Sequence, residues 1–279
     1  MEDLHIYFET GAIGDTAFNL CRANIAMEAM NLKSTIVHTS NIFKSHGKIK
    51  QTCPNVKTIL ESTSFIKKIE YDVDYNDTDS FRYSKKYETP IYQPMFYRDE
   101  NDIKSWVDLS RYIPEKKGDR KVAVLQPVSL EMKPPPYVDW YVPIWDRCVN
   151  LLHEKGYEIV MVGGTNDPIE RCMKSETIKK TNNKIGAWSI LESLAFTIYE
   201  SDLVLACDSW SAIWAPAARI KTFTAWGYRM ENHIDFWATG FLGNRNYYEY
   251  GWSSQKDYCD AYLAGKISDY LAEKRNAEV

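Results

Sequence analysis

Two stretches of this chain repeat one pattern, in which a short apolar strand ends in a glycine turn that leads into a helix. In the first half, the apolar run Leu4–Phe8 precedes the turn 9–15 and an apolar-periodic helix that continues to about Met30. In the second half, the strand Glu158–Val162 precedes the pair Gly163 and Gly164. Strands that alternate with helices form parallel sheets covered by helices. The pattern predicts an α/β protein with two Rossmann-like domains.

The chain has 279 residues, which is long for one hydrophobic core and suits two domains. The polar segment Pro114–Lys121 contains both Pro and Gly and precedes a new strand, so it is the predicted linker. We therefore predict domains at residues 1–118 and 119–279. Further strands are predicted at 34–38, 65–71, 122–125, 203–206 and 222–225, and further helices at 56–60, 144–155, from near 167, at 189–200, after 208 and at 255–274.

Composition places the chain among ordinary globular proteins, with 44% hydrophobic and 26% charged residues. No apolar run approaches the length of about 20 residues that spans a bilayer. The N-terminus Met1-Glu2-Asp3 also lacks a basic and then apolar signal pattern. We expect a cytoplasmic protein without a transmembrane segment.

Cysteines and histidines are scattered along the chain, with no CxxC pair and no HExxH motif. The expectation is reduced thiols and no metal or other cofactor. The net charge of −4 argues against a surface that is positive throughout. Aromatic residues reach 14%, which suits a ligand with sugar rings or bases, because aromatic faces stack on both.

The turn that follows the first strand is Gly11-Ala12-Ile13-Gly14-Asp15. Ligands bind at the carboxyl ends of strands in open α/β sheets, where backbone N–H groups and a helix N-terminus converge. The functional interpretation makes Asp15 a general base that faces an interdomain cleft. The alternative is a tight strand–helix turn in which Asp15 caps the helix.

The order of these motifs resembles that of the heptosyltransferase-like glycosyltransferases of family 9. Four segments carry the resemblance, and the first is the glycine turn 11–15. The second, Val122-Ala123-Val124-Leu125-Gln126-Pro127-Val128-Ser129, is similar to a strand ending in His-Pro-Gly-Ser and is followed by Lys133 and Trp140. The third is the strand ending in Gly163-Gly164 with Asp167, similar to Gly-Gly-x-x-acid, and the fourth is 195–209, which includes Asp208 and Ser209 and is similar to a segment that ends at the donor phosphates.

The resemblance implies the GT-B architecture, two Rossmann-like domains that face each other across a cleft. It also implies an inverting, metal-independent transfer of a sugar from a nucleotide-diphosphate donor to an acceptor hydroxyl. The first domain would meet the acceptor, with Asp15 as the base. The second domain would hold the donor.

A departing diphosphate gathers negative charge, which the second domain must stabilise. The candidates are Lys133, Arg229, the hydroxyl of Ser209 and the N–H groups after Asp208. Asp167, after Gly163 and Gly164, is a candidate to bind ribose hydroxyls. The alternatives are that both cations are solvated surface charges and that both aspartates are helix caps.

Two positions depart from the family pattern. Trp210 stands where the family has Gly, and Ile213 stands where it has His. Glycine lets a ligand approach the backbone closely and tryptophan does not. The sequence therefore predicts that Trp210 stacks on the sugar or the base.

Three other functions stay open from sequence. The triplets 72–74 and 77–79 are both DxD, the pattern that holds a divalent ion in metal-dependent glycosyltransferases. A nucleotide-sugar epimerase and a non-catalytic nucleotide-sugar-binding module also fit two Rossmann-like domains.

Several lysines in the first half predict an anionic acceptor. The alternative is that their side chains lie on solvent-exposed faces of helices. The acceptor would be either a phosphorylated glycan core or a hydroxymethylated pyrimidine in DNA, including phage DNA in an infected bacterium. A DNA base would have to flip into the site, and binding would weaken with salt. The lysines are Lys44, Lys48, Lys50, Lys57, Lys67 and Lys68.

Overall fold

The computed structural model describes residues 4–9, 13–40, 52–71, 102–128, 138–164, 169–207, 209–226, 246–250 and 265–273. The chain divides into two compact units, and the division falls between Arg111 and Tyr112. We call the described residues up to Arg111 unit 1 and the described residues from Tyr112 onward unit 2.

Unit 1 contains a parallel sheet with helices between its strands. Its elements are β1 (Leu4–Glu9), α1 (Ile13–Ala29), β2 (Thr35–Ser40), α2 (Pro54–Glu61) and β3 (Ile66–Glu70). The strands stand in the order β1-β2-β3, and both pairings are parallel. The predicted strands and helices of this half are confirmed within a few residues.

Apolar side chains at helical spacing hold α1 to this sheet. Ala17, Leu20 and Met27 are buried on one side of the helix. The helix ends at Ala29, and Asn31 in the turn that follows has a φ of 52°, in the left-handed region that Asn tolerates. Leu32 N–H then donates to the Met27 carbonyl at 2.8 Å, which closes the turn before β2.

Unit 2 contains a six-stranded parallel sheet with the strand order of a Rossmann fold. Its elements are β4 (Val122–Gln126), α3 (Val138–Glu154), β5 (Glu158–Met161), α4 (Ser175–Ile178), β6 (Asn182–Asn183), α5 (Ile190–Glu200), β7 (Leu203–Cys207), α6 (Trp210–Ala217), β8 (Lys221–Trp226), β9 (Asn246–Tyr250) and α7 (265–273). The strands stand in the order β6-β5-β4-β7-β8-β9, so the chain reverses direction across the sheet between β4 and β7.

Helices cover both faces of this sheet. Trp145 of α3 and Ile267 of α7 belong to one apolar cluster with Leu125, Leu205 and Phe223 of the strands. The helix α6, which follows β7 in the chain, contacts β7, β8 and α5. All five residues of β4 and of β7 are buried, as strands covered on two faces require.

Three details of unit 2 differ from the sequence prediction. The helix α3 begins at Val138, not at Ile144, because Pro143 near its start removes one backbone hydrogen bond without ending the helix. In place of a helix from near residue 167, the described residues form a single 3₁₀ turn, Ile169–Arg171, and then α4. The polar strands β6 and β9 were not predicted, because neither has an apolar alternation.

The predicted linker is tied to unit 2 by hydrogen bonds. Lys117 N–H donates to Glu200 Oε2 at 2.9 Å, and the Lys117 ammonium group pairs with Asp202. Asp202 Oδ2 also accepts from Val122 N–H at 2.8 Å. Burial alone would raise the pKa of Glu200, but the hydrogen bonds from Lys117 and Lys116 lower it. The boundary at residue 118 stays a prediction.

In the described part of the chain, no helix has both the length and the apolar character needed to cross a membrane. Among the cysteines of the described segments, none forms a disulfide.

A capping box begins α5, as the spacing of Ser189 and Glu192 predicts. Ser189 Oγ accepts from Glu192 N–H at 3.2 Å, and the Glu192 carboxylate accepts from Ser189 N–H at 2.6 Å. The hydrogen bonds from Ser189 hold the pKa of Glu192 below its ordinary value. The contribution of the Glu192 carboxylate to the stability of the folded protein is therefore present at neutral pH, and it is lost as the pH falls through that lowered pKa.

We expect Ser189→Ala to lower the free energy of unfolding by about 1 kcal/mol, because one helix N–H loses its acceptor. Urea unfolding at pH 7 measures this change. Ser189→Thr is the matched control, since it keeps an acceptor oxygen and should retain most of the stability. An equal loss in both variants would contradict a capping role.

Candidate functional site

The carboxyl edge of the unit 2 sheet brings three chain turns together. Leu125 of β4 pairs with Met161 of β5, and Gln126 pairs with Ala206 of β7. The turns after β5, β4 and β7 therefore follow one another along the edge, about 4.8 Å apart. The strand order reverses between β4 and β7, and the crevice at such a reversal is where open α/β sheets bind ligands.

One buried amide joins two of these turns. Gln126, only 1% exposed, donates from Nε2 to Ser209 Oγ at 2.8 Å. Its Oε1 accepts from Ser211 Oγ at 2.6 Å and from Ser211 N–H at 3.3 Å. The end of β4 is thereby fixed to the first turn of α6.

This arrangement leaves the start of α6 suited to an anion. Ser209 is the N-cap residue of α6, but its side chain makes no cap hydrogen bond. Its Oγ accepts from Gln126 instead, so the Ser209 hydroxyl keeps its own hydrogen to donate. The N-terminus of a helix also presents backbone N–H groups and the positive end of its dipole. A half-buried hydroxyl and a helix N-terminus thus lie side by side at the crevice.

Gly163 and Gly164 follow β5 at the same edge. Val162 N–H donates to the Leu125 carbonyl at 2.9 Å, which carries the pairing with β4 up to the glycines. Gly163 is buried and Gly164 is half-buried. The glycine turn predicted from sequence therefore adjoins Gln126, in the place where a ligand can approach the backbone.

The two residues that depart from the family pattern lie mostly inside unit 2. Trp210 is 9% exposed and Ile213 is 8% exposed. Most of the Trp210 indole therefore packs in the interior of the unit. Its stacking on a sugar or base stays a prediction.

In unit 1, the glycine turn leads directly into α1. Ile13 and Gly14 are the first two residues of this helix, and Gly14 is buried. Asp15 is the third helical residue, so it belongs to the first turn and is not the N-cap that the alternative interpretation made it. The remaining predicted site residues lie outside the described residues: Gly11, Ala12, Lys133, Asp167, Asp208 and Arg229. The DxD triplets lie outside them as well.

The contacts of Gln126 are not predicted by the sequence. The segment Gln126-Pro127-Val128-Ser129 resembles His-Pro-Gly-Ser, and the resemblance assigns no function to the glutamine. The available signal was a polar residue at the end of the apolar strand that begins at Val122. Its partner Ser211 is 85 positions away in the chain, and local patterns cannot show such a contact.

Two lysines of the basic run make contacts within unit 1. Lys68 pairs with Glu70 at 2.7 Å, and the Lys57 ammonium group lies 4.7 Å from the centre of the Tyr71 ring. These contacts favour a structural role for the two side chains. Within the described segments, no group of His, Cys, Asp and Glu side chains could hold a metal ion.

No protein-family model matches the sequence, and no curated protein sequence matches it either. Solved structures match the fold. ADP-heptose LPS heptosyltransferase II of E. coli is similar over 98% of this chain and 100% of its own, with a TM-score of 0.63 and 11% identity. The chain has the GT-B fold of the heptosyltransferases.

Other GT-B structures agree. The structure of the E. coli heptosyltransferase WaaC with ADP is similar over 98% of this chain and 99% of its own length, with a TM-score of 0.55 and 11% identity. A family 9 glycosyl transferase from Veillonella parvula gives a TM-score of 0.58 at 10% identity, again over 98% and 99%. The predicted GT-B fold is therefore confirmed, and the likeness to family 9 is a likeness of fold.

We expect Gln126→Met to lower the free energy of unfolding by about 1–3 kcal/mol, because it leaves buried hydroxyl and N–H groups without partners. Ser211→Ala alone should leave the Gln126 carbonyl short of a donor. The double variant should lose less than the sum of the two single losses, because both ends of that contact are then apolar. Urea unfolding of all four proteins measures this coupling, and strictly additive losses would contradict the contact.

Proposed function

We propose that this protein is a glycosyltransferase that holds a nucleoside diphosphate sugar in unit 2 and transfers the sugar to an acceptor hydroxyl. The observation that supports this most is the reversal of strand order between β4 and β7, where Gln126 donates a hydrogen bond to Ser209 at the N-terminus of α6. Fold neighbours include a heptosyltransferase solved with ADP and one solved with ADP-2-deoxy-2-fluoro heptose.

The donor diphosphate is the group that this crevice suits. Phosphate oxygens accept hydrogen bonds, and the Ser209 hydroxyl and the backbone N–H groups of α6 donate them. Gly163 and Gly164 leave room for the nucleotide to approach the sheet edge. Within this proposal, Lys133, Arg229 and the N–H groups after Asp208 share the phosphate charge, Asp167 binds the ribose, and Trp210 packs beside the sugar or base.

The reaction in this proposal is a direct displacement at the anomeric carbon. The acceptor oxygen attacks that carbon while Asp15 takes its proton, and the diphosphate leaves with the electrons of the broken carbon–oxygen bond. A single displacement inverts the anomeric configuration. Asp15 lies in the first turn of α1, where the positive end of the helix dipole favours the ionised carboxylate, the form that can accept a proton.

Charge on the leaving diphosphate is carried by protein groups in this proposal, not by a divalent ion. The hydrogen-bond donors and cations of unit 2 that contact the phosphates in this proposal stabilise that charge. Because nucleotide sugars are made in the cytoplasm, we place the protein there. The proposed acceptor is a phosphorylated glycan core or a hydroxymethylated pyrimidine of DNA, and salt separates the two, since DNA binding weakens steeply as salt rises.

A panel of UDP-, GDP-, ADP- and CMP-sugars tests the donor. The correct donor should raise the apparent free energy of unfolding by about 2.7 kcal/mol at one hundred times its Kd, because it binds the folded protein alone. A thermal-shift assay in excess chelator makes the measurement. One stabilising nucleotide is the expected result, and a flat panel that metal ions rescue would show a metal-dependent enzyme instead.

Asp15→Asn tests the base. We expect kcat for sugar transfer to fall about 10²- to 10⁴-fold, because the acceptor proton loses its carboxylate, while donor stabilisation stays unchanged. Glu28→Gln is the matched control, since Glu28 is an exposed acid at the far end of the same helix. Unchanged transfer by Asp15→Asn would exclude Asp15 as the base, and donor turnover without any acceptor would indicate an epimerase.

A further inference from the structure

Three titratable side chains form a hydrogen-bonded row across the sheet of unit 1. His5 of β1, His38 of β2 and Glu70 of β3 lie on one face of the sheet, since His38 pairs with Glu70 and His5 pairs with Ile36. His5 Nδ1 lies 2.8 Å from His38 Nε2, and His38 Nδ1 lies 2.9 Å from Glu70 Oε2. The two rings are nearly parallel, at an angle of 20°.

The row runs from solvent through a buried centre. His5 is exposed, His38 is 6% exposed and Glu70 is half-buried. Burial lowers the pKa of His38, and the Lys68 charge lowers it further, against the opposing effect of Glu70. His38 is therefore neutral at pH 7. A hydrogen bond from Lys68 holds the pKa of Glu70 below its ordinary value, so Glu70 is a carboxylate.

These protonation states fix both tautomers. A carboxylate only accepts, so the hydrogen between His38 and Glu70 belongs to His38 Nδ1. A neutral imidazole carries one N–H, so His38 Nε2 is an acceptor. The hydrogen between the two rings then belongs to His5 Nδ1, and Nε2 of His5 is left with its lone pair. Among the described residues, that nitrogen has no hydrogen-bond partner.

We propose that His5, His38 and Glu70 form a proton relay that makes Nε2 of His5 a general acid–base group of unit 1. Its partner would be a hydroxyl group or a water molecule that gives up a proton. When His5 Nε2 takes that proton, the Nδ1 hydrogen of His5 passes to His38 Nε2. His38 becomes an imidazolium between Glu70 and a neutral His5, and the net charge of the row changes from −1 to 0. The Glu70 carboxylate, 2.9 Å from His38 Nδ1, opposes the effect of burial on the charge of His38.

The relay takes up one proton with its hydrogen bonds intact. A second proton would place N–H groups on both facing ring nitrogens, and the contact between His5 and His38 would break. Because the facing nitrogens share one hydrogen, the protonation state of each ring depends on the other in this proposal. The described charged groups that face His38 are His5, Glu70 and Lys68. This row is separate from the proposed base, because His5 lies near the amino end of β1 and Asp15 follows its carboxyl end.

Nitrogen-15 NMR of histidine-labelled full-length protein tests the relay at pH 7.5. We expect Nδ1 protonated and Nε2 unprotonated in both His5 and His38, the reverse of the tautomer that free histidine favours. Between pH 8 and pH 5, both rings should report the same first protonation step. An Nε2–H tautomer at His5, or independent titration of the two rings, would overturn the proposal.

Variants separate the relay from simple packing. Glu70→Leu removes the first acceptor, and His5 should then revert to the Nε2–H tautomer. Lys68→Gln is the control, since it removes a neighbouring charge outside the row and should leave both tautomers unchanged. Glu70→Gln keeps a carbonyl acceptor, so it should keep the tautomers and weaken proton uptake even if Glu70→Leu does not fold. Unchanged tautomers in a folded Glu70→Leu variant, or unchanged proton uptake in Glu70→Gln, would overturn the relay.

Discussion

The parallel pairing of β4 with β7 is the constraint on which the rest of unit 2 depends. Both strands are buried along their whole length, and they lie where the strand order reverses. Burying these runs of Val, Leu and Ala drives the sheet to form between two helical layers. The same pairing fixes which chain turns meet at the carboxyl edge. The candidate site is therefore a consequence of the sheet and is not an addition to it.

Gln126 is a polar residue at the end of a buried strand, so its side-chain amide needs hydrogen-bond partners. Its amide is satisfied by Ser209 and Ser211, so the serine hydroxyls are held in place before any ligand arrives. A donor set that is already ordered stabilises a leaving diphosphate without further reorganisation. The contact thus connects the stability of unit 2 to its proposed chemistry.

Local patterns predicted much of this fold. Apolar runs located the principal strands, and the spacing of Ser189 and Glu192 predicted the capping box that begins α5. The predicted start of α3 at Ile144 was wrong, because the helix begins at Val138 and continues through Pro143. The strand β9 was missed because Asn, Tyr and Glu dominate it. In the site, Ser209 and the glycine pair were predicted from their motifs. Contacts between distant parts of the chain were not, as in the Gln126 contact and in the row from His5 to Glu70.

The central claim is that unit 2 binds a nucleoside diphosphate at the carboxyl edge of its sheet. Hydrogen–deuterium exchange of the full chain, with and without ADP, UDP, GDP or CDP, tests it most directly. We expect one nucleotide to slow exchange in residues 122–128 and 207–212 and to leave β1, β2 and β3 unchanged. Slowed exchange confined to unit 1, or no change with any of the four nucleotides, would contradict the claim.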